Sequence, residues 1–301
     1  MNLTEKDIVR SDNLDLMAQQ VVEGFITGLH KSPYHGFSVE FAEHRQYNTG
    51  ESVKNIDWKL FARTERLYVK RYEEETNLRC NFLIDSSASM YFPDDDHSKI
   101  RFSVLATASL MHLLKRQRDA VSLIEFNQTI EQFTQTKSSG THHLQLMQIL
   151  SGLLDKKPDQ RKSNVVNTLH EIAERIHRRS LVVIFSDMFD SDDPEAVFDA
   201  LQHLKFNKHE VILFHTLHHG KEVDFAYENR PFTFEDIETG EKLRLFPSEV
   251  KDHYQREVEN FHTMLKFRCA QYKIDFVEAD VSKSMDAILL PFLLKRKRMS
   301  R

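Results

Sequence analysis

The sequence predicts an α/β fold built on a mostly parallel sheet, and two observations carry that prediction. From about residue 78 onward, short apolar runs alternate with longer stretches whose apolar residues keep helical spacing. The runs are too continuous for strands with one wet face, so they read as strands buried on both faces. Strand and helix in alternation imply parallel neighbours joined by right-handed crossovers.

The elements follow in order. A helix is predicted over 12–29, then strands near 36–43 and 67–75. Residues 1–77 are poor in apolar side chains and read as an N-terminal α+β extension docked on the body, which spans 78–301. Trp58, the only tryptophan, is then expected to be buried. In the body, Asn81–Ile84, Val121–Ile124, Leu181–Phe185 and Val211–Phe214 are the strong strands, with Ile274–Val277 a weaker fifth. Ile100, Val104, Ala108, Met111 and Leu114 keep helical spacing, as do Met285, Ile288, Leu289, Phe292 and Leu293. Residues 142–155, 163–178, 195–206 and 248–272 are further helices. Thr129–Thr134 follows the strand ending near Phe126 too closely for a crossover, so it is predicted as an antiparallel edge strand. Residues 223–247 alternate apolar with polar around the turn Thr239-Gly240, which predicts a β-hairpin insertion.

Composition bounds the function classes. In 301 residues, 41 Lys+Arg stand against 46 Asp+Glu, and the resulting charge of −5 argues against a protein that coats nucleic acid. The opening residues carry acids and no apolar core of a secretory signal, and no run approaches the ~18 apolar residues of a membrane span. Two cysteines, Cys80 and Cys269, give neither a disulfide framework nor a cysteine zinc site. A cytoplasmic location is the expectation. Phosphate-binding loops of the G-x-x-x-x-G-K-[ST] type, dinucleotide turns and the G-x-S-x-G elbow are all absent from the sequence.

The strongest chemical signal is Asp85-Ser86-Ser87-Ala88-Ser89, which follows the strand Asn81–Ile84 directly. The carboxyl edge of such a sheet is where ligands bind. Alternate residues of an extended segment point the same way, so Asp85, Ser87 and Ser89 can converge. One carboxylate and two hydroxyls are hard donors, suited to Mg²⁺ or Mn²⁺. Thr141, before the helix at 142–155, and Asp187, after the strand Leu181–Phe185, are expected to complete the set.

This set resembles the metal-ion-dependent adhesion site of von Willebrand factor A-like domains, whose doubly wound sheet matches the strand order read above. The resemblance implies that Ser and Thr hydroxyls hold the metal, that the aspartates act partly through water, and that a partner carboxylate completes the sphere. Upstream, Gly36, Glu40 and Phe41, then Arg45, Tyr47, Gly50 and Glu51, then Ile56-Asp57-Trp58, then Ala62 and Arg63 are similar to the signature of the bacterial domain of unknown function 58 family. Glu51 stands where that family usually has Asp, and Lys54 where it usually has Arg. Many relatives also carry N-terminal membrane helices, which are not seen in this sequence.

Between residues 45 and 71, seven Lys/Arg face three acids, with Trp58, Phe61, Tyr68 and Tyr72 interleaved. Internal charge pairing and aromatic packing account for this better than a binding surface for nucleic acid or an acidic partner does. His215, His218 and His219, and the pair His142-His143, raise a zinc site, but no spacing matches a zinc motif. The function expected is a non-enzymatic, Mg²⁺- or Mn²⁺-dependent protein-binding module. The family resemblance implies a MoxR-type AAA+ ATPase as partner, with this chain as adaptor, and a partner or client Asp/Glu on the metal. The rival expectation is a Mg²⁺-dependent, phosphatase-like hydrolase using Asp85.

Overall fold

The computed structural model describes residues 14–25, 38–46, 56–75, 78–93, 95–156, 165–189, 194–235, 240 and 242–299. The body is a six-stranded sheet: β3 (Arg79–Asp85), β4 (Ala120–Phe126), β5 (Ile130–Phe133), β6 (Leu181–Ser186), β7 (Glu210–Leu217) and β10 (Asp275–Asp280). They lie in the order β10-β7-β6-β3-β4-β5, all parallel except β5, which runs antiparallel to β4. This is the predicted von Willebrand A-like architecture, including its antiparallel edge.

The register places β3 in the middle, with Asp85 opposite Phe126 of β4 and Ile84 opposite Phe185 of β6. The carboxyl ends of these strands therefore lie level. Both faces are covered, as the continuous apolar runs require. On one face, α5 (Val165–Arg175), α6 (Pro194–Phe206) and α7 (Pro247–Gln271) pack on Leu83, Ile124, Val182, Ile184 and Leu213. On the other face lie α3 (Lys99–Arg116), α4 (Gly140–Asp155) and α8 (Met285–Met299). Alternate strand residues serve the two faces. Val182 and Ile184 meet the first set, whereas Phe185 stacks on Phe214 at 4.7 Å and meets Phe102 of α3 edge-on at 6.4 Å. Phe214 in turn meets Phe292 of α8 at 5.1 Å, so one aromatic row fixes both helices. Each ring buried in that row contributes about 2–3 kcal/mol through lost apolar exposure.

The predicted helix over 12–29 is observed as α1 (Leu14–Phe25). It packs through Leu14, Met17, Ala18 and Val22, and it belongs to the same compact unit as the sheet. A second unit, residues 32–78, holds β1 (Ser38–Gln46), α2 (Trp58–Thr64) and β2 (Tyr68–Glu75). The expected extension 1–77 thus divides, with its helix joining the body. β1 and β2 pair antiparallel from Ser38↔Glu75 to Gln46↔Tyr68, with an irregularity between Phe41 and Glu43. The hairpin predicted within 223–247 is β8 (Phe232–Glu235) with β9 (Lys242–Leu245). Gly240, at φ +73°, sits in the left-handed region that glycine enters without steric cost. Thr239 lies outside the described residues. No helix among the described residues is long and apolar enough to cross a membrane.

The family-signature positions can be placed in part. Arg45 lies on β1, and Tyr47, Gly50, Glu51 and Lys54 fall outside the described residues. Ile56 is buried. Asp57 caps α2, its carboxylate accepting from the backbone N–H of Lys59 at 3.0 Å and Leu60 at 3.1 Å. Ala62 and Arg63 are exposed on that helix. Trp58 is 58% exposed and meets Phe61 edge-on at 6.1 Å, so the expected burial is not found. As the second residue of an Asp-capped turn, it projects from the helix start. Its fluorescence should therefore peak near that of solvated indole and be fully quenched by iodide. A blue-shifted, quencher-resistant emission would show that another surface covers it.

Candidate metal centre

β3 ends at Asp85, and the chain passes through Ser87 into a short 3₁₀ turn, Ala88–Tyr91, that carries Ser89. Asp85 is almost fully buried, and both its oxygens are engaged. Oδ1 accepts from the Ser87 backbone N–H at 2.9 Å, and Oδ2 accepts from the Ser186 hydroxyl at 2.6 Å. Ser87 and Ser89 converge as predicted, with their hydroxyl oxygens 3.1 Å apart. That separation is close to the ~2.9 Å edge of an octahedron with Mg–O bonds of 2.0–2.1 Å. Ser89 is the least buried of the group.

Asp187 leaves the end of β6 on the same edge, 1% exposed. Its Oδ1 accepts from the Phe189 N–H at 3.1 Å, and its backbone carbonyl lies 2.9 Å from His215 Nε2. Its Oδ2 accepts from the Lys99 ammonium at 2.7 Å, and that ammonium also donates to Glu222 at 2.5 Å. Lys99, completely buried, is the main feature that the sequence reading missed. Burial works against its charge, yet the Asp187 and Glu222 carboxylates outweigh it and hold the ammonium's pKa above the ordinary lysine value. Burial pushes the Asp85 carboxyl the other way, above the usual carboxylate range, with the Asp187 charge adding to it. A signal for Lys99 did exist: it is the first residue of α3, where a cation opposes the helix dipole and so calls for a nearby anion.

Thr141 does not join the site. It lies in the first turn of α4, exposed, with its hydroxyl 3.3 Å from that of Ser139. The next residue, His142, reaches the Val121 carbonyl through Nε2 at 3.2 Å. Val121 stands near the amino end of β4, opposite Cys80, whereas Asp85 stands opposite Phe126. Five residues of strand at about 3.3 Å each put Thr141 roughly 16 Å along the sheet, at the opposite edge. The helix that starts at the carboxyl edge is α5, whose Thr168 donates to the carbonyls of Asn127 and Gln128 just past β4. Residues 157–164, which precede α5, lie outside the described residues.

The histidines singled out in the sequence also separate. His215 is buried under Asp187, and burial followed by the His262 charge lowers its pKa to about 4, so it is neutral. His218 accepts from the Lys221 N–H, and His219 pairs with Glu278. Beside them, a cavity of about 400 Å³ is bordered by Phe189, His215, Asp224, Gln255, Phe261 and His262.

The donor set fits a hard dication. Asp187 and Glu222 share the Lys99 ammonium, and Asp85 lies close enough to feel the Asp187 charge, so when all are ionised three carboxylates stand against one ammonium, an excess of two negative charges. Two convergent hydroxyls add neutral oxygen donors. Carboxylate and hydroxyl oxygens of that charge suit Mg²⁺ or Mn²⁺, with waters completing six-fold coordination.

A family model described as "Protein of unknown function DUF58" matches residues 43–263. Uncharacterized proteins of Mycobacterium bovis and Mycobacterium tuberculosis are each 22% identical over 174 residues, or 58% of this chain. The chain spans about half the length of these relatives, since the match covers 55% of each. Among solved structures, a conserved hypothetical protein, BatB, from Bacteroides thetaiotaomicron is 14% identical with a TM-score of 0.39, covering 73% of this chain and 99% of its own. The SpRpn10 VWA domain is 16% identical with a TM-score of 0.35, covering 47% of this chain and 76% of its own.

Proposed function

The chain belongs to the DUF58 family, and on that premise we propose that it is a metal-dependent protein-binding module rather than an enzyme. The observation that carries this reading is the group at the carboxyl edge of β3 and β6. There Asp85, Ser87 and Ser89 cluster at the end of β3, and Asp187, whose charge acts on Asp85, leaves the end of β6 on the same edge; Phe189 and His215, next to Asp187, border a cavity of about 400 Å³. Those four residues would hold Mg²⁺ or Mn²⁺, and the ion would supply a positive centre for a partner Asp or Glu. Ser89, the least buried, marks the side from which a partner carboxylate enters. Membership in this family supports a MoxR-type AAA+ ATPase as that partner, with the present chain as its adaptor.

Calorimetry with Mn²⁺ tests the site directly. The wild type should give a saturable heat, Asp85→Ala and Ser89→Ala should give none, and Thr141→Ala should match the wild type. Equal heats from wild type and Asp85→Ala would overturn the assignment.

Lys99 favours one other reading, a Mg²⁺-dependent phosphatase-like hydrolase, because such sites commonly place a lysine beside paired acids. Against it, Asp85 is 1% exposed and both its oxygens accept hydrogen bonds, which weighs against its use as the nucleophile. Phosphoester turnover in Mg²⁺ that Asp85→Asn abolishes would establish the hydrolase. Its absence favours the binding module.

A further inference from the structure

A second cluster lies away from this edge, where α1, α3 and α4 come together. Asp15 of α1, His112 of α3 and His143 of α4 each offer one ligand atom, and the three atoms lie within 4.8 Å of one another. His143 Nε2 is 2.9 Å from Asp15 Oδ1, and His112 Nδ1 is 3.4 Å from the same oxygen. The two rings are tilted by 65°, with centroids 6.3 Å apart, so both edges turn toward the carboxylate and the faces do not stack. His143 is buried and the other two are half-buried, which leaves one side open to water. Among the described residues this is the one histidine and carboxylate group with such spacing.

We propose that Asp15, His112 and His143 form a site for a transition-metal dication of the zinc type. Bonds of 2.0–2.2 Å in a tetrahedron separate ligand atoms by roughly 3.3–3.5 Å, so two of the observed separations already lie within about half an ångström of that value. Two imidazoles and one carboxylate form a three-ligand set, and water on the open side supplies the fourth. Nitrogen donors select zinc-type ions over Mg²⁺, so this site and the oxygen site at Asp85 take different metals.

The consequence is structural. α1 is a 12-residue helix, too short to persist alone in water, and its buried apolar residues number only Leu14, Met17, Ala18 and Val22 among those described. A metal shared with α3 and α4 would staple it to the body. The sequence hides this site because its ligands come from three helices far apart in the chain, with no local spacing to read.

The test uses the full chain and Co²⁺ as a spectroscopic stand-in for Zn²⁺. Wild type should bind one Co²⁺ with the intense visible bands of tetrahedral coordination, and Zn²⁺ should displace it and raise the melting temperature. Asp15→Asn keeps the side-chain shape and, like His112→Ala, should weaken binding by more than the roughly 10–100-fold that losing a mere supporting hydrogen bond costs. His253→Ala, an exposed histidine on α7, should leave the bands intact. Absence of bands in the wild type would show a hydrogen-bonded cluster only. Bands that persist in Asp15→Asn and His112→Ala would show adventitious binding, and either result overturns the proposal.

Discussion

Lys99→Met should cost about 3–5 kcal/mol of folding stability, the usual penalty for removing one partner of a buried ion pair. The lysine is completely buried and donates to Asp187 and Glu222, so its loss leaves two carboxylates facing each other, with Asp85 nearby. For a domain of this size, 1 kcal/mol shifts the melting temperature by roughly 2–4 °C, so a fall on the order of 6–20 °C is expected. The variant also exposes the cation requirement of the site. Without the ammonium, a dication becomes the remaining source of positive charge, so millimolar Mg²⁺ should stabilise Lys99→Met more than it stabilises wild type. Adding Glu222→Gln should recover part of the loss, because the two residues are in direct contact and their effects cannot be additive. A melting temperature within about 2 °C of wild type would mean that water reaches the ammonium and that the triad is less buried than its geometry implies.

How much of this was legible in the sequence depended on the range of the signal. The strands were legible because burial on both faces leaves an uninterrupted apolar run, as in Leu181–Phe185. The antiparallel edge was legible from chain length alone, since no helix fits between Phe126 and Ile130. Thr141 went wrong one step later. A hydroxyl before a helix is a sound local sign, but β5 carries the chain back along the sheet, with Lys137 bridging to Val121 at the amino end of β4. The helix that follows therefore begins at the wrong edge. Parallel crossovers return each loop to the same edge, and a single antiparallel strand breaks that rule. Asp85, Ser87 and Ser89 were legible because period-two spacing is local. Lys99 left only one local sign, a cation at a helix start, because its partners lie 88 and 123 residues away, and pairing over such distances leaves no spacing to read.

The same triad decides which variant can probe the proposed partner. Asp187→Ala would strand the buried Lys99 ammonium and unfold much of what it was meant to test, whereas Ser89→Ala removes a half-buried hydroxyl whose one direct bond is to Ser87. If a partner carboxylate closes the coordination of a metal at Asp85, Ser87, Ser89 and Asp187, the new bond forms between charged groups shielded from water. Losing a contact of that kind costs ~2–4 kcal/mol, or roughly 30- to 1,000-fold in affinity. Ser89→Ala should therefore lose that much affinity for the proposed MoxR-type ATPase partner, while its melting temperature stays near that of wild type. EDTA should reduce wild-type binding to the level of the variant, and Mg²⁺ should restore wild type alone. Thr141→Ala should bind as wild type does, because its hydroxyl sits at the far edge of the sheet. Capture of the ATPase that withstands both EDTA and Ser89→Ala would remove the metal from recognition. The exposed face of α2, with Trp58, Phe61 and Arg63, would then be the next surface to mutate.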